Sequence, residues 1–166
     1  MIRPAKIEDL PYVLELIQEL ADFEKEPQEV EITLNTLEED GFGAHAKFHC
    51  FVADVDEKIV GMALVYPRYS TWKGTVLHLE DLIVKASKRG RGIGSQLLDA
   101  VVRYGKELQV KRISWEVLEC KVLGGTGSVT RLHFLSFVHF CKSPRLAFRA
   151  AIFCCNEFEG CQIHFS

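Results

Sequence analysis

Residues 89–94 read Arg89-Gly90-Arg91-Gly92-Ile93-Gly94, and they constrain this chain more than any other stretch. A strand-like apolar run, Val76 to Val84, lies just before them, and a helical pattern, Ser95 to Leu108, follows at once. Strand, glycine-rich turn and helix start together make an anion cradle. Glycine lets backbone N–H groups converge without a Cβ in the way, and the helix N-terminus adds a partial positive charge. Arginines supply full charges with a fork geometry suited to phosphate oxygens. The run therefore reads as the pyrophosphate seat of a nucleotide-containing cofactor.

Two other readings stay open at this point. A Walker loop is excluded, because no Gly-Lys-Ser/Thr closes the run. A dinucleotide fingerprint is matched at Gly90 and Gly92, but its third position is Ser95. Glu116 and Glu119 stand where a ribose-binding acid could follow, so a nicotinamide-dependent oxidoreductase is the rival. The plainest reading is a surface turn with helix-capping glycines.

The rest of the chain bounds the classes. Its 166 residues suit one domain with a real core, and 48% apolar residues argue for a folded chain. The net charge of −3 hides an asymmetry. Residues 1–119 hold 15 Lys/Arg against 21 Asp/Glu, whereas residues 120–166 hold five against two. An acidic body argues against nucleic acid as partner and suits small cationic substrates. No apolar run approaches membrane-spanning length and no leader pattern opens the chain, so a cytoplasmic protein without a membrane partner is expected. Of six cysteines, five follow residue 119 without a CxxC pair, which predicts free thiols and no metal site. Cys50, within an apolar run, reads as a buried small residue.

The expected element order is β-α-α-β-β-β-α-β, an α/β fold with a mixed central sheet and flanking helices. Met1 to Ala5 is extended. A helix from Ile7 to about Glu24 carries Leu10, Val13, Leu14, Ile17 and Leu20 on one face. A short helix spans Leu34 to Asp40 and Gly41-Phe42-Gly43 ends it. Phe48 to Val55 and Ile59 to Tyr66 form a hairpin that Pro67 terminates. Thr75 to Val84 is the strand before the cradle. The next helix, Ile93 to Leu108, has Ile93, Leu97, Leu98, Val101 and Val102 on one face, and Arg112 to Leu118 is a further strand. In the tail, Arg131 to Phe140 and Cys161 to Phe165 read as strands and Arg145 to Cys155 as a helix.

Arg89-x-x-Gly92-x-Gly94 resembles the acetyl-CoA signature of the GNAT N-acetyltransferase superfamily. The likeness extends to Ile2–Ala5, Glu19–Glu24, Glu39–Gly43, Phe48–Cys50, Tyr69–Gly74 and Leu79–Asp81, which together resemble the diamine (spermidine/spermine) N-acetyltransferases. Ser70-Thr71-Trp72-Lys73-Gly74 is more similar to their thialysine N-epsilon-acetyltransferase branch. The resemblance covers residues 1–119, expected as the acyltransferase core. Residues 120–166 depart from it, with seven of eleven Phe and none of the four Tyr. That shift is what an altered reading frame or unspliced segment would leave, and sequencing of genomic and messenger copies across codon 120 tests it.

The resemblance implies acetyl-CoA as cosubstrate, a small primary amine as acceptor, a homodimer and no metal. It places the pyrophosphate at Arg89, Gly90, Arg91, Gly92, Ile93, Gly94 and Ser95, and the pantetheine arm along Leu82, Ile83 and Val84, which otherwise read as a plain core strand. A neutral amine must be made from an ammonium of pKa about 10, so a base is required. Glu80 is expected in that role, with Asp81 as a substrate-site carboxylate facing the other way, since successive strand residues alternate. The bland alternative is that one of them pairs with an arginine. Glu24 is expected to contact the substrate amine, or else to be a solvated helix end. Trp72 is read as a wall of the amine channel or as a core aromatic. Polyamine-specific members carry a carboxylate where Ser70 stands, which favours a shorter amine here. His49 and His78 read as structural. The family's tyrosine acid has no counterpart after Tyr104, which leaves open a CoA-binding but catalytically impaired chain.

Overall fold

A computed structural model describes residues 1–115 in full and the backbone of 116–117 and 134–139. Six strands form one sheet in chain order: β1 (Ile2–Pro4), β2 (His49–Val55), β3 (Lys58–Ser70), β4 (Gly74–Val84), β5 (Arg112–Val117) and β6 (Phe134–His139). All neighbours are antiparallel except β4 and β5, which are parallel. The parallel step needs a crossover, and the helix α3 (Ile93–Glu107) supplies it. The mixed α/β sheet with flanking helices is the architecture read from the sequence.

Two apolar layers cover the sheet. On one face α3 buries Ile93, Leu97, Leu98 and Val101 against Phe51, Ala63, Val65, Leu77, Leu79 and Val84. On the other, α1 (Leu10–Glu24) and α2 (Leu34–Phe42) bury Leu10, Val13, Leu16, Leu20 and Leu37 against Cys50, Val52, Met62 and Ile83. Leu16 is fully buried, while Leu14 and Ile17 are only partly so. The buried stripe of α1 is thus rotated from the one expected. Ile7–Asp9 is a separate 3-10 turn, and Pro11 falls in the first turn of α1, where its missing N–H has no partner to lose. α2 starts on Thr33, whose Oγ1 accepts from the Thr36 N–H at 3.2 Å, and continues through Phe42 rather than stopping before Gly41.

β3 corrects a further expectation. It does not end at Pro67 but pairs with β4 as far as Ser70. Its pairing with β2 stops at Val65, so beyond that residue β3 is an edge strand among the described residues. A missing N–H is tolerated on such an edge. In the tail, β6 lies inside the expected strand 131–140; the expected helix 145–155 and strand 161–165 lie outside the described residues. Among the described residues no helix is long and apolar enough to cross a membrane.

Candidate functional site

The pairing of β3 with β4 slips by one residue at Glu80. Leu64 lies opposite Asp81 and Val65 opposite Leu79, so Glu80 is an extra residue between two ladder positions. This is a β-bulge, and it resets the side-chain alternation. Leu77 and Leu79 belong to the layer under α3; beyond the bulge Leu82 and Val84 do so, and Ile83 joins the layer under α1. Asp81, two residues before Ile83, consequently faces α1. The Glu80 carboxylate also reaches that side, since its Oε2 stands 3.5 Å from Nε2 of His78. The two acids therefore do not point apart, as strict alternation requires. The extra residue turns both toward one space.

Glu24 closes that space from above. It is the last residue of α1, which stops because Lys25 adopts a left-handed conformation (φ 65°) and returns its N–H to Ala21 and Asp22. The Glu24 Oε1 is buried, so the residue is not a solvated helix end. An ion pair of Lys85 Nζ with Glu15 (2.8 Å) ties α1 to the end of β4. Asp81 keeps part of its surface accessible, yet its carboxyl is desolvated. Burial first, then the negative Glu80 and Glu24, push its pKa up to about 7. A site with this surplus of negative charge attracts an ammonium and holds a proton acceptor next to it. Among the described residues no group of three His, Cys, Asp or Glu is spaced to hold a metal ion.

The cradle lies at the far end of the same strand. After Val84 a 3-10 turn (Ala86–Lys88) leads to Arg89, whose Nε–H donates to the Val84 carbonyl at 2.8 Å. This bond anchors the turn to the strand. Gly90 and Gly92 adopt φ of 73° and 75°, a region costly for any residue with a Cβ. A Cβ built at either meets nothing within 4 Å, so the space above them is open. No side chain caps the first turn of α3, and its N–H groups point to that open side. Arg91 and Ser95 are exposed beside it; Ile93 is buried and can contribute only its backbone. Gly94 sits close on β4: its Cβ would lie 3.7 Å from Leu82 Cδ2.

Between the acids and the cradle the sheet opens. β4 pairs with β5 at two positions only, Leu77 with Ile113 and His78 with Ser114. From the bulge onward the edge of Leu82–Val84 toward β5 carries no ladder among the described residues. Apart from the Val84 carbonyl, which Arg89 holds, backbone groups on this edge can accept an extended amide-bearing arm as an extra strand.

The conjunction of a splayed parallel pair and a glycine cradle on the following helix fits one family, and the comparisons agree. The model described as "Acetyltransferase (GNAT) family" matches residues 11–122. The chain belongs to this acetyltransferase family. The thialysine N-epsilon-acetyltransferase of Bos taurus is 39% identical over 127 residues, covering 72% of this chain and 75% of that protein. The spermidine/spermine N(1)-acetyltransferase-like protein 1 of Homo sapiens is 39% identical over 104 residues, 58% of this chain and 15% of that protein. Among solved structures, a BH1408 variant from Bacillus halodurans shares the fold with a TM-score of 0.62 at 21% identity, over 80% of this chain and 99% of that one. Rv2747 of Mycobacterium tuberculosis, solved with CoA, shares it with a TM-score of 0.52 at 22% identity, over 69% and 62%.

Two further expected residues, Trp72 and His49, lie away from the acids. Trp72 is 90% exposed in the turn between β3 and β4, so it is not a core aromatic. Gly74, two residues on, is six strand residues from Glu80, about 20 Å at 3.3 Å per residue. His49 stacks on Tyr104 (ring centroids 4.5 Å apart) on the α3 face, beside a hollow of about 340 Å³ lined by Arg3, Phe51 and Arg103. Its ring packs edge-on against Phe51 as well. His78 is buried in β4. Its Nδ1 lies 2.9 Å from Ser114 Oγ while Nε2 faces Glu80. Ser114 carried no signal in the sequence, because only the sheet register brings it to His78. Glu119 and the tail cysteines lie outside the described residues.

Proposed function

We propose that this GNAT chain transfers the acetyl group of acetyl-CoA to a primary amine of a small cationic substrate, by direct attack of the amine. One observation carries the reading: the bulge at Glu80 gathers Glu24, Glu80 and Asp81 at the strand that leads into the glycine cradle. The residues fit a CoA carrier. Gly90, Gly92, Gly94 and the α3 N-terminus would hold its diphosphate, with Arg91 and Ser95 alongside and Arg89 fixing the turn, and the open edge of Leu82–Val84 would pair with its pantetheine. Bound there, the carrier supplies an acyl thioester. Glu24 and Asp81 would draw the ammonium in, and Glu80 would take its proton and leave a neutral nucleophile. No protein nucleophile is required.

The thialysine N-epsilon-acetyltransferases that resemble this chain, and Ser70 in place of a carboxylate, favour a short amine such as a lysine-like side chain or a small diamine over a long polyamine. Homodimer formation, a cytoplasmic setting, the absence of a nucleic-acid or membrane partner, and the split into a 1–119 core and a 120–166 tail belong to the same proposal. The lack of a tyrosine after Tyr104 favours one second reading, a chain that binds CoA but turns over slowly. Loss of a general acid costs roughly 10²–10⁴-fold in rate. Thiol release from acetyl-CoA, followed with a panel of thialysine, lysine and diamines, tests both. Glu80→Gln should lower turnover by about 10²-fold or more with unchanged CoA affinity; unaltered turnover would remove Glu80 as the base.

A further inference from the structure

We propose that His78, oriented by Ser114, is a positioning residue that aims and steadies the Glu80 carboxylate. The proposal rests on the reading of Glu80 as the base. His78 is 2% exposed and Ser114 is 2% exposed, so neither side chain is set by solvent. They are direct neighbours across the parallel β4–β5 pair, one of only two such positions before the strands part. The imidazole is clamped on a second side by the Tyr66 ring, 5.1 Å away between centroids and tilted by 54°. Its plane is therefore fixed by β3 and β5 together, while the bulge sets Glu80 in front of it.

The chemistry of the ring follows from its two nitrogens. A neutral imidazole carries one N–H, and the partner of the other nitrogen decides which. Ser114 Oγ–H can donate to Nδ1, across 2.9 Å. That leaves the proton on Nε2, the nitrogen facing Glu80 Oε2 at 3.5 Å. This distance is beyond the roughly 2.7–3.2 Å of a formed N–H···O bond, and a small rotation of the Glu80 side chain closes it. Contacts of this kind tighten when substrate is bound. The opposite tautomer would point a lone pair at a carboxylate. A base on a bulge, where the ladder is locally irregular, gains from such a support.

Two measurements test this. The ring ¹⁵N shifts of His78 in the full chain report its tautomer without any turnover. The expected result is a proton on Nε2, with a mixture of tautomers in Ser114→Ala; a proton on Nδ1 in the native chain overturns the proposal. Thiol-release kinetics give the second. His78→Phe, which keeps the aromatic packing, should lower kcat by about tenfold, the worth of one hydrogen bond to a charged group, with KM for the amine and CoA affinity within twofold. His78→Gln, whose amide nitrogen falls near the Nε2 position, should recover most of the loss. In a Glu80→Gln background His78→Phe should cost nothing more. Equal losses in His78→Phe and His78→Gln, or an undiminished loss in the Glu80→Gln background, would mean a purely structural histidine. Full activity of Glu80→Gln would instead sink the base assignment, and the tautomer measurement would then judge the positioning by itself. Melting curves of each variant separate misfolding from either result.

Discussion

Replacing Asp81 by Asn should stabilise the protein at alkaline pH and leave it unchanged in acid. The Asp81 carboxyl is raised from 3.8 to about 7 by burial and by the negative Glu80 and Glu24. Below the lower value both folded and unfolded chains hold the proton, and the residue costs nothing. Between the two values the folded chain keeps a proton that the unfolded chain has released, so stability falls as pH rises. Above about 7 the full difference applies. Three units at about 1.36 kcal/mol each give about 4 kcal/mol, and the partial exposure of Asp81 screens this to roughly half. Asn keeps the shape and stays neutral throughout. Urea unfolding of both proteins at pH 4, 6 and 8 reads the gap directly. It should be near zero at pH 4 and about 2–4 kcal/mol in favour of Asp81→Asn at pH 8. A gap that does not change with pH, or a native chain that is the more stable at pH 8, would refute the picture of three acids crowded at the bulge.

Gly92→Ala forces a Cβ into φ 75° and meets no neighbour within 4 Å. The cost is conformational, about 1–2 kcal/mol, and calorimetry should show CoA affinity falling beyond what the lost stability explains; unchanged affinity would remove the turn from the binding site. Arg89→Ala removes the bond to the Val84 carbonyl and one charge, and should weaken CoA binding by about tenfold, as read by a thermal-shift titration in which an unshifted midpoint concentration counts against it. Gly61→Ala places a Cβ 2.7 Å from the Ile83 carbonyl oxygen, so β3 and β4 must part. Overpacking of this kind costs about 1–3 kcal/mol, and a melt identical to that of the native chain would contradict the close pairing beside the bulge.

What the sequence made legible is local. The strand, turn and helix from Val76 to Glu107 follow from an apolar run, three glycines and a helical stripe, all read within one continuous stretch. The hairpin of β2 and β3 is equally local, with its turn at Asp56 and Glu57, both at positive φ. What stayed hidden depends on the alignment of separate strands. Pro67 looked like an end because a proline in a strand interior forfeits a ladder bond, and no property of β3 alone says that its β2 neighbour has already stopped. Whether Trp72 was a core aromatic could not be read from its own position, and only the fold shows it exposed in the turn between β3 and β4. Leu16 lost to Leu14 and Ile17 in the reading of α1 because the stripe is centred by what the helix packs on, not by its own period.

The bulge is the sharpest case, because one residue does two things that no periodicity reveals. Had β4 paired without a slip, Glu80 would face α1 and Asp81 would face α3, among Leu77 and Leu79. Leu82 and Val84 would lie under α1, and the turn that follows would start from the wrong side of the sheet. With Glu80 inserted, both carboxylates reach the α1 face, while Leu82 passes to the α3 face and meets the start of that helix at Gly94. The position of the cradle relative to the acids is thus set by a one-residue slip in one ladder. Deleting Glu80 would leave an unbroken β3–β4 ladder in which Asp81 follows Leu79 directly. Leu82 and Val84 would keep the α3 face and the anion seat its strand, so loss of turnover with CoA binding retained is the outcome the geometry requires.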